Sequence, residues 1–301
     1  MSGSFLQRIW QYQKERFPIV AHGLLIAAFT FSAIAYSHIC RHDDTPIYWL
    51  SFLKAFVNTF SLFLLLRISD EFKDAEYDKR NRSHLPVPRG LVSLKELKKI
   101  GIGLLISLTL FDLFFASQHL WIYAIILVYL FLMYHEFFCK HWLEKHQLAY
   151  VVSHMMIIPI VDTMASSFDW MNSGPDVNGL YWFFAVSFFN GCTLELGRKI
   201  KATENEESNS YSLSLGFKKS LLYFQLVLGV TYVLCLGAAW YAELNIYHHL
   251  VFTFMYIITA VYGFYFYTKR SVKNSKLFEI LSGLWAIGMY LNLGIGIFFN
   301  K

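Results

Sequence analysis

The sequence predicts an all-α fold: a polytopic membrane helical bundle of about nine transmembrane helices around a central cavity. Of 301 residues, 56% are hydrophobic, 19% aromatic and only 16% charged, whereas roughly 25% of the residues in an ordinary soluble domain are charged. The apolar residues also form runs close to the roughly 20 residues that a helix needs to cross a bilayer. No low-complexity linker divides the chain, so we expect one domain over residues 1–301.

Nine apolar runs follow one another along the chain, and each predicts one spanning helix. They cover residues 18–37, 46–69, 99–117, 120–138, 147–167, 179–197, 219–241, 248–268 and 277–299. Long polar segments follow the second and the sixth run, at 70–98 and 195–217. Because this arrangement recurs four helices later, we expect two similar four-helix halves plus one helix, with the two polar segments meeting over the cavity.

Basic residues are distributed asymmetrically over the predicted loops. When the loops are assigned alternately to two sides, 22 Lys and Arg residues fall on one side and 2 on the other. By the positive-inside rule, the amino terminus and both polar segments then lie on the cytoplasmic side of the cell (inner) membrane. We expect the first span to be a membrane helix and not a cleaved signal peptide. Its apolar run is long, and the alternation of basic loops between the two sides counts it as a span. The basic loops favour anionic membrane lipid as a partner, and we expect no nucleic acid, since no nucleic-acid-binding module is recognisable.

The polar segment 70–98 combines acidic and basic side chains at the end of an apolar run. If the helix continues into it, Asp70, Asp74 and Asp78 line one face over roughly 12 Å. Carboxylates on one stripe repel one another and are unfavourable at the carboxyl end of a helix, so a divalent cation would compensate them. The alternative is an ordinary solvated loop whose charges only set the orientation of the helices, which is the more common role of charged loops between transmembrane helices. The helical spacing and the arginines that follow favour a phosphate ester bridged through Mg²⁺.

The segment 70–93 resembles the first signature of the UbiA superfamily of intramembrane prenyltransferases, Asn-Asp-x-x-Asp-x-x-x-Asp followed by basic residues and Arg-Pro-x-x-x-Gly. Asp70 stands at the asparagine position, Glu71 at the first aspartate, and Asp74 and Asp78 at the next two. The resemblance implies that these four acids bind Mg²⁺, and that Asp70, Asp74 and Asp78 are catalytic. It also implies diphosphate contacts from the basic side chains of the segment, which are Lys73, Arg80, Arg82 and Arg89.

The second acidic motif departs from that family's pattern. Relatives carry Asp-x-x-x-Asp where the sixth helix ends, but this chain has no aspartate between residues 177 and 301. Glu195 stands at the first acidic position, and Lys199 lies four residues later. We expect Glu195 to contribute to catalysis and metal binding, and Arg198 and Lys199 to contact the diphosphate; the alternative for Glu195 and Lys199 is an ordinary i, i+4 ion pair. Three later glutamates are further candidates: Glu204, Glu206 and Glu207.

Several polar residues of the fourth and fifth predicted helices are further candidates. Tyr134 and Lys140 resemble the Tyr and Lys that family members place near the diphosphate, although Lys140 fits a positive-inside anchor equally well. His154 and Asp162 lie within the fifth predicted span, where an ionisable group is a functional candidate. Pro159 predicts a distortion of the same helix.

These features indicate an enzyme that acts on an anionic headgroup attached to an apolar chain. We expect a Mg²⁺-dependent prenyltransferase that ionises a polyprenyl diphosphate and transfers the isoprenoid to a lipophilic acceptor. A membrane terpene cyclase would use the same ionisation without an external acceptor. A non-catalytic lipid-phosphate transporter or binding protein would recognise the headgroup without turnover.

Overall fold

The computed structural model of the protein describes residues 3–42, 45–173, 178–202 and 210–299. Over these ranges every regular element is a helix, as predicted for an all-α bundle. The α-helices are α1 (Phe5–Arg16), α2 (Ile19–Cys40), α3 (Trp49–Lys73), α4 (Ala75–Asn81), α5 (Leu94–Phe115), α6 (Leu120–Tyr134), α7 (Lys140–Lys145), α8 (Gln147–Met155), α9 (Ile157–Ser173), α10 (Leu180–Lys199), α11 (Tyr211–Ser214), α12 (Phe217–Tyr241), α13 (Ile246–Thr268) and α14 (Val272–Ile295). Short 3-10 helices lie at Ser117–His119, Glu136–Phe138 and Gly296–Phe298.

Among the described residues, seven helical stretches are long and apolar enough to cross a membrane, so the chain is a multi-pass membrane protein. They are Ile19–Cys40, Trp49–Lys73, Ser117–Tyr134, Gln147–Met171, Phe217–Tyr241, Ile246–Thr268 and Val272–Phe298. The two other predicted spans correspond to α5 and α10, which pack within the bundle but fall outside these seven. Charged residues near one end of each helix reduce its apolar length, and the predicted count of nine is not confirmed.

The fifth predicted span is interrupted between α8 and α9. Proline has no N–H group, and its ring clashes with the carbonyl group four residues earlier. For Pro159 that carbonyl belongs to Met155, which is the last residue of α8. The helix breaks at Met156, about one turn before Pro159, which is where a proline is expected to distort it.

The membrane helices form two groups joined by α9. In the first group, α3 contacts α2, α5 and α6; in the second, α10, α12, α13 and α14 contact one another in sequence, and α14 returns to α10. Contacts of α2 with α14 and of α9 with α10 close the two groups on each other. α9 thus lies between the two groups, whereas the repeat expected from the sequence placed the fifth helix at the start of the second half.

Small and polar residues lie where the helices meet. Asn58 on α3 donates a hydrogen bond from Nδ2 to Oδ1 of Asp112 on α5 at 2.6 Å. Gly197 on α10 approaches α14 so closely that a Cβ atom there would overlap the side chain of Ser282. Within a membrane, close packing and interhelical hydrogen bonds stabilise such contacts, because lipid is as apolar as the side chains themselves.

Helix α1 is held against the first polar segment by ion pairs. Arg8 lies 2.6 Å from Glu96, near the start of α5, and Glu15 lies 2.7 Å from Arg89. Hydrogen bonds from Arg8 and Ser93 lower the pKa of Glu96 to about 2. Bonds from Arg89 and Gln11 likewise lower the pKa of Glu15. α1 therefore docks through charges and leaves apolar side chains exposed on its other face.

Candidate functional site

A cavity of about 700 Å³ opens where the two polar segments meet at one end of the bundle. Its walls come from the end of α3 and from α4, from α8 and the segment between α6 and α8, from the end of α10, and from α11 with the residue before it. Five of the predicted site residues line it: Lys73, Asp74, Arg80, Lys140 and Lys199. The cavity therefore joins carboxylate and ammonium groups from three separate parts of the chain.

The aspartate stripe divides at the end of α3. α3 ends at Lys73 and α4 begins at Ala75, yet the backbone N–H of Asp78 still donates to the carbonyl of Asp74 at 2.8 Å. The helical spacing is thus kept, but only the Asp74 side chain lines the cavity. Asp78 is buried beside α1, where Arg82 lies 3.1 Å and Arg16 3.7 Å from its carboxylate. Burial raises the pKa of Asp78, while the two arginines oppose this rise.

Glu71 is held in a buried cluster of basic and phenolic groups. Arg16 donates from Nε to Oε1 of Glu71 at 2.6 Å, and Arg67 donates from Nη2 to the same oxygen at 2.7 Å. The hydroxyl of Tyr12 lies 3.3 Å away. The Glu71 side chain is only 1% exposed, so its charge is balanced by these partners and it is not available to a ligand in the cavity.

Glu195 pairs with the two basic residues that follow it. Arg198 Nη2 lies 2.6 Å from Oε2, and Lys199 Nζ lies 2.7 Å from Oε1. The i, i+4 ion pair considered for Glu195 and Lys199 is therefore present. The Lys199 ammonium also lies over the ring of Tyr211, 5.4 Å from its centre, and both residues line the cavity. Glu195 thus orients a cation that faces the cavity.

The other nominated residues lie elsewhere. Arg89 binds Glu15 and the carbonyl of His84, and Tyr134 is exposed at the end of α6; neither lines the cavity. Arg82 is directed to Asp78. The later candidates Glu204, Glu206 and Glu207 lie outside the described residues.

Asp70 and Asp74 are the two acids of the first polar segment that could hold a magnesium ion, and of the two only Asp74 lines the cavity. Asp70 is 37% exposed, and Arg67 at 3.8 Å is its ion-pair partner. The two aspartates stand one helical turn apart, with the N–H of Asp74 donating to the carbonyl of Asp70 at 2.9 Å. Over the described ranges, no group of three or more His, Cys, Asp or Glu side chains could hold a metal alone. Mg²⁺ is commonly bound through one or two carboxylates plus substrate phosphates, so a site with two carboxylates is compatible with this ion.

Among the cavity residues that sequence reasoning missed are Glu136 and Tyr150. The Lys73 ammonium lies 2.9 Å from the Tyr150 hydroxyl and 3.4 Å from Oε1 of Glu136. It also lies 3.3 Å from Nε2 of His154, which was nominated as an ionisable group within a span. No spacing rule links Lys73 to the other three residues, because the end of α3, the turn at Glu136–Phe138 and α8 meet only in the folded chain.

Comparisons with known proteins identify the family. The model of the UbiA prenyltransferase family matches residues 29–287. Among curated proteins, none matches significantly. Two solved structures resemble the fold over nearly the whole chain. A structure of digeranylgeranylglyceryl phosphate synthase in membranes has a TM-score of 0.64 at 17% identity, covering 97% of this chain and 99% of that one. An apo UbiA homolog from Aeropyrum pernix K1 has a TM-score of 0.67 at 13% identity, covering 92% of this chain and 97% of that one.

Proposed function

The chain belongs to the UbiA prenyltransferase family, and we propose that it transfers an isoprenoid chain from a polyprenyl diphosphate to a lipophilic acceptor. The observation that carries this proposal is the cavity, which joins Asp74 to Lys140 and Lys199 at the polar end of an apolar bundle. A ligand that fits this arrangement is anionic at one end and apolar along the rest of its length. One structural relative is a digeranylgeranylglyceryl phosphate synthase, which supports a lipophilic acceptor.

Asp70 and Asp74 would hold Mg²⁺ together with the diphosphate. When bound there, the ion supplies positive charge that stabilises the departing pyrophosphate. Three other acids were also expected to bind the metal: Glu71, Asp78 and Glu195. Each of them instead neutralises an arginine or lysine side chain. They stabilise the walls of the site.

Lysines and an arginine supply the remaining positive charge. Lys199 is held by Glu195 and the Tyr211 ring, while Lys140 and Arg80 reach the same cavity from other elements. Charge-assisted hydrogen bonds to phosphate oxygens are stronger than neutral ones, and they strengthen as charge develops on the leaving group. These side chains would therefore assist breakage of the bond between isoprenoid carbon C1 and the diphosphate oxygen.

We further propose that the reaction takes place at the cytoplasmic face of the cell (inner) membrane. The distribution of basic residues supports this orientation for the amino terminus and for both polar segments. The isoprenoid chain and the prenylated product would then remain among the membrane helices, and the pyrophosphate would leave to the cytoplasm.

The direct test uses the purified protein in nanodiscs. Geranyl, farnesyl and geranylgeranyl diphosphates are supplied with Mg²⁺ and a panel of lipophilic acceptors, and both pyrophosphate and prenylated product are measured. We expect pyrophosphate release together with a prenylated acceptor. A hydrocarbon or terpene alcohol formed from the diphosphate alone would indicate a terpene cyclase. Tight binding of the diphosphates without pyrophosphate release from any of them would indicate a lipid-phosphate transporter or binding protein.

A further inference from the structure

The Lys73 ammonium group is occupied by three acceptors. They are the hydroxyl oxygen of Tyr150 at 2.9 Å, Nε2 of His154 at 3.3 Å and Oε1 of Glu136 at 3.4 Å. An ammonium group has three hydrogens and accepts none, so these neighbours account for all of its donors. Lys73, expected from the sequence to bind the diphosphate, is therefore a positioning residue in this structure.

The contacts of His154 define where its proton lies. Nδ1 lies 2.9 Å from the carbonyl oxygen of Tyr150. A carbonyl oxygen only accepts hydrogen bonds, so Nδ1 carries the hydrogen, and Nε2 of the neutral ring accepts from Lys73. A doubly protonated ring would instead place two cations 3.3 Å apart. The neutral ring has no hydrogen on Nε2 to offer to Glu136.

One carboxylate oxygen of Glu136 therefore lacks a donor. Oε2 is buried without a hydrogen-bond partner among the described residues, although Nε2 of His154 lies 3.3 Å from it. The whole residue is 9% exposed and lines the cavity. Leaving a buried acceptor unpaired is unfavourable, and a ligand in the cavity that Glu136 lines could supply the missing donor. This oxygen is suited to a ligand that brings an O–H group.

The backbone at Glu136 has an uncommon conformation. Glu136, Phe137 and Phe138 have φ values of 48°, 50° and 58°. Three successive non-glycine residues in the left-handed region are unusual, and such strain persists where the surrounding structure requires it, often at functional sites. Here the turn places Glu136 on the cavity wall, beside Lys73 and His154.

We propose that Oε2 of Glu136 binds the hydroxyl group of an alcohol or phenol acceptor and takes its proton during prenyl transfer, an inference that rests on the function proposed above. The bond from C1 of the isoprenoid to the diphosphate oxygen breaks, and its electron pair stays with the diphosphate. A lone pair of the acceptor oxygen forms the new bond to C1. The proton passes from that oxygen to Oε2 of Glu136.

The charge environment of Glu136 is compatible with this role. Burial opposes ionisation of Glu136, while the ammonium group of Lys73 favours it. Such a carboxylate is a weak base towards a neutral alcohol. It is strong enough here, because the acceptor oxygen becomes a very acidic oxonium once it has bonded to C1.

Tyr150 is a second polar group beside Lys73 on the cavity wall. Its hydroxyl oxygen accepts a hydrogen bond from Lys73, so its own hydrogen can be donated to a ligand in the cavity.

The test compares the wild type with Glu136→Gln and with the control Glu279→Gln, which removes a carboxylate that pairs with Lys201 and does not line the cavity. Two quantities are measured in nanodiscs: the affinity for inorganic pyrophosphate with Mg²⁺, and the rate of prenyl ether formation on an alkylglycerol and a long-chain alkylphenol. For Glu136→Gln we expect an unchanged pyrophosphate affinity and a rate lowered about 100-fold or more. Glu279→Gln should change neither quantity.

The outcomes separate this inference from the proposed function. Ether formation by Glu136→Gln at the wild-type rate would overturn the inference alone, and so would a loss of pyrophosphate affinity equal to the loss of rate. A wild-type protein that releases no pyrophosphate would overturn the proposed function and the inference with it. If Glu136→Gln does not fold, Glu136→Asp serves in its place, because it keeps the carboxylate charge but shortens the side chain by one methylene group. That variant should form ether about 10- to 100-fold more slowly with unchanged pyrophosphate affinity; an undiminished rate would overturn the inference.

Discussion

Arg16 Nε lies 2.6 Å from Oε1 of Glu71, which joins the amino-terminal helix to the end of α3 across 55 residues of sequence. The pair is nearly buried, with side chains 14% and 1% exposed. Arg16 also lies 3.7 Å from Asp78. α1 therefore fixes two acids of the first signature in place, next to the part of the chain that lines the cavity.

Replacing Arg16 with alanine should destabilise the protein by about 3 kcal/mol, because it leaves the buried Glu71 charge with fewer partners. Arg67 remains as a partner of Glu71, so the loss of unfolding free energy should lie at the lower end of the range for a broken buried ion pair. Denaturant unfolding in detergent measures the effect. Arg8→Ala is the matched control, since it breaks a less buried ion pair of the same helix and should have a smaller effect. Equal losses in the two variants would contradict a special role for Arg16.

Asp74→Asn and Asp78→Asn should affect different properties. Asp74 lines the cavity, so its change should lower pyrophosphate release about 100-fold or more, with little change in unfolding. Asp78 lies between Arg82 and Arg16, so its change should mainly lower stability. Parallel measurements of turnover and thermal inactivation separate the two effects. If Asp78→Asn lost turnover while keeping wild-type stability, Asp78 would belong to the catalytic group.

Lys199→Met should raise the KM for a prenyl diphosphate about 10-fold or more, because a charge-assisted hydrogen bond to phosphate is lost. Steady-state kinetics with Mg²⁺ at saturation measure this change. Lys201→Met provides a control, since Lys201 is bound to Glu279 at 2.7 Å and does not line the cavity. An unchanged KM in Lys199→Met would show that the headgroup is held by other cations.

Acidification should release α1. The pKa of Glu96 is lowered from 4.5 to about 2 by Arg8 and Ser93, and the pKa of Glu15 is lowered by Arg89 and Gln11. For a lowered pKa, the stabilising contribution is complete above the unfolded value and is lost as the pH falls towards the folded value. Docking of α1 should thus weaken between pH 4.5 and about 2. Hydrogen exchange over Phe5–Arg16 detects the release, and Glu96→Gln should exchange faster even at neutral pH.

Gly197→Ala should destabilise the bundle by about 1 to 3 kcal/mol, because the added methyl group overlaps Ser282 where α10 meets α14. Gly283→Ala lies on α14 in open space and should be neutral or slightly stabilising, since alanine favours helix over glycine. Thermal inactivation of both variants provides the measurement. A neutral Gly197→Ala would mean that the helices can separate at this point without loss.

Local sequence patterns predicted much of the fold and part of the site. Long apolar runs located the helices because a bilayer requires each span to be apolar over a fixed length. Pro159 located the break in the fifth span because its effect on the preceding turn is local. Asp74, Lys140 and Lys199 were nominated from short motifs, and all three line the cavity.

The sequence by itself determined the membrane class, the order of the helices and the family signature, because each depends on residues that are close together along the chain. Only the tertiary structure decided which way the charged side chains face. Asp74 and Asp78 share a helical spacing but face a cavity and a pair of arginines, respectively. Lys73 meets Tyr150 across 77 residues, and Glu136 reaches the cavity through a left-handed turn. The rotation of each helix about its axis is set by packing against distant segments, and spacing along the chain does not record it.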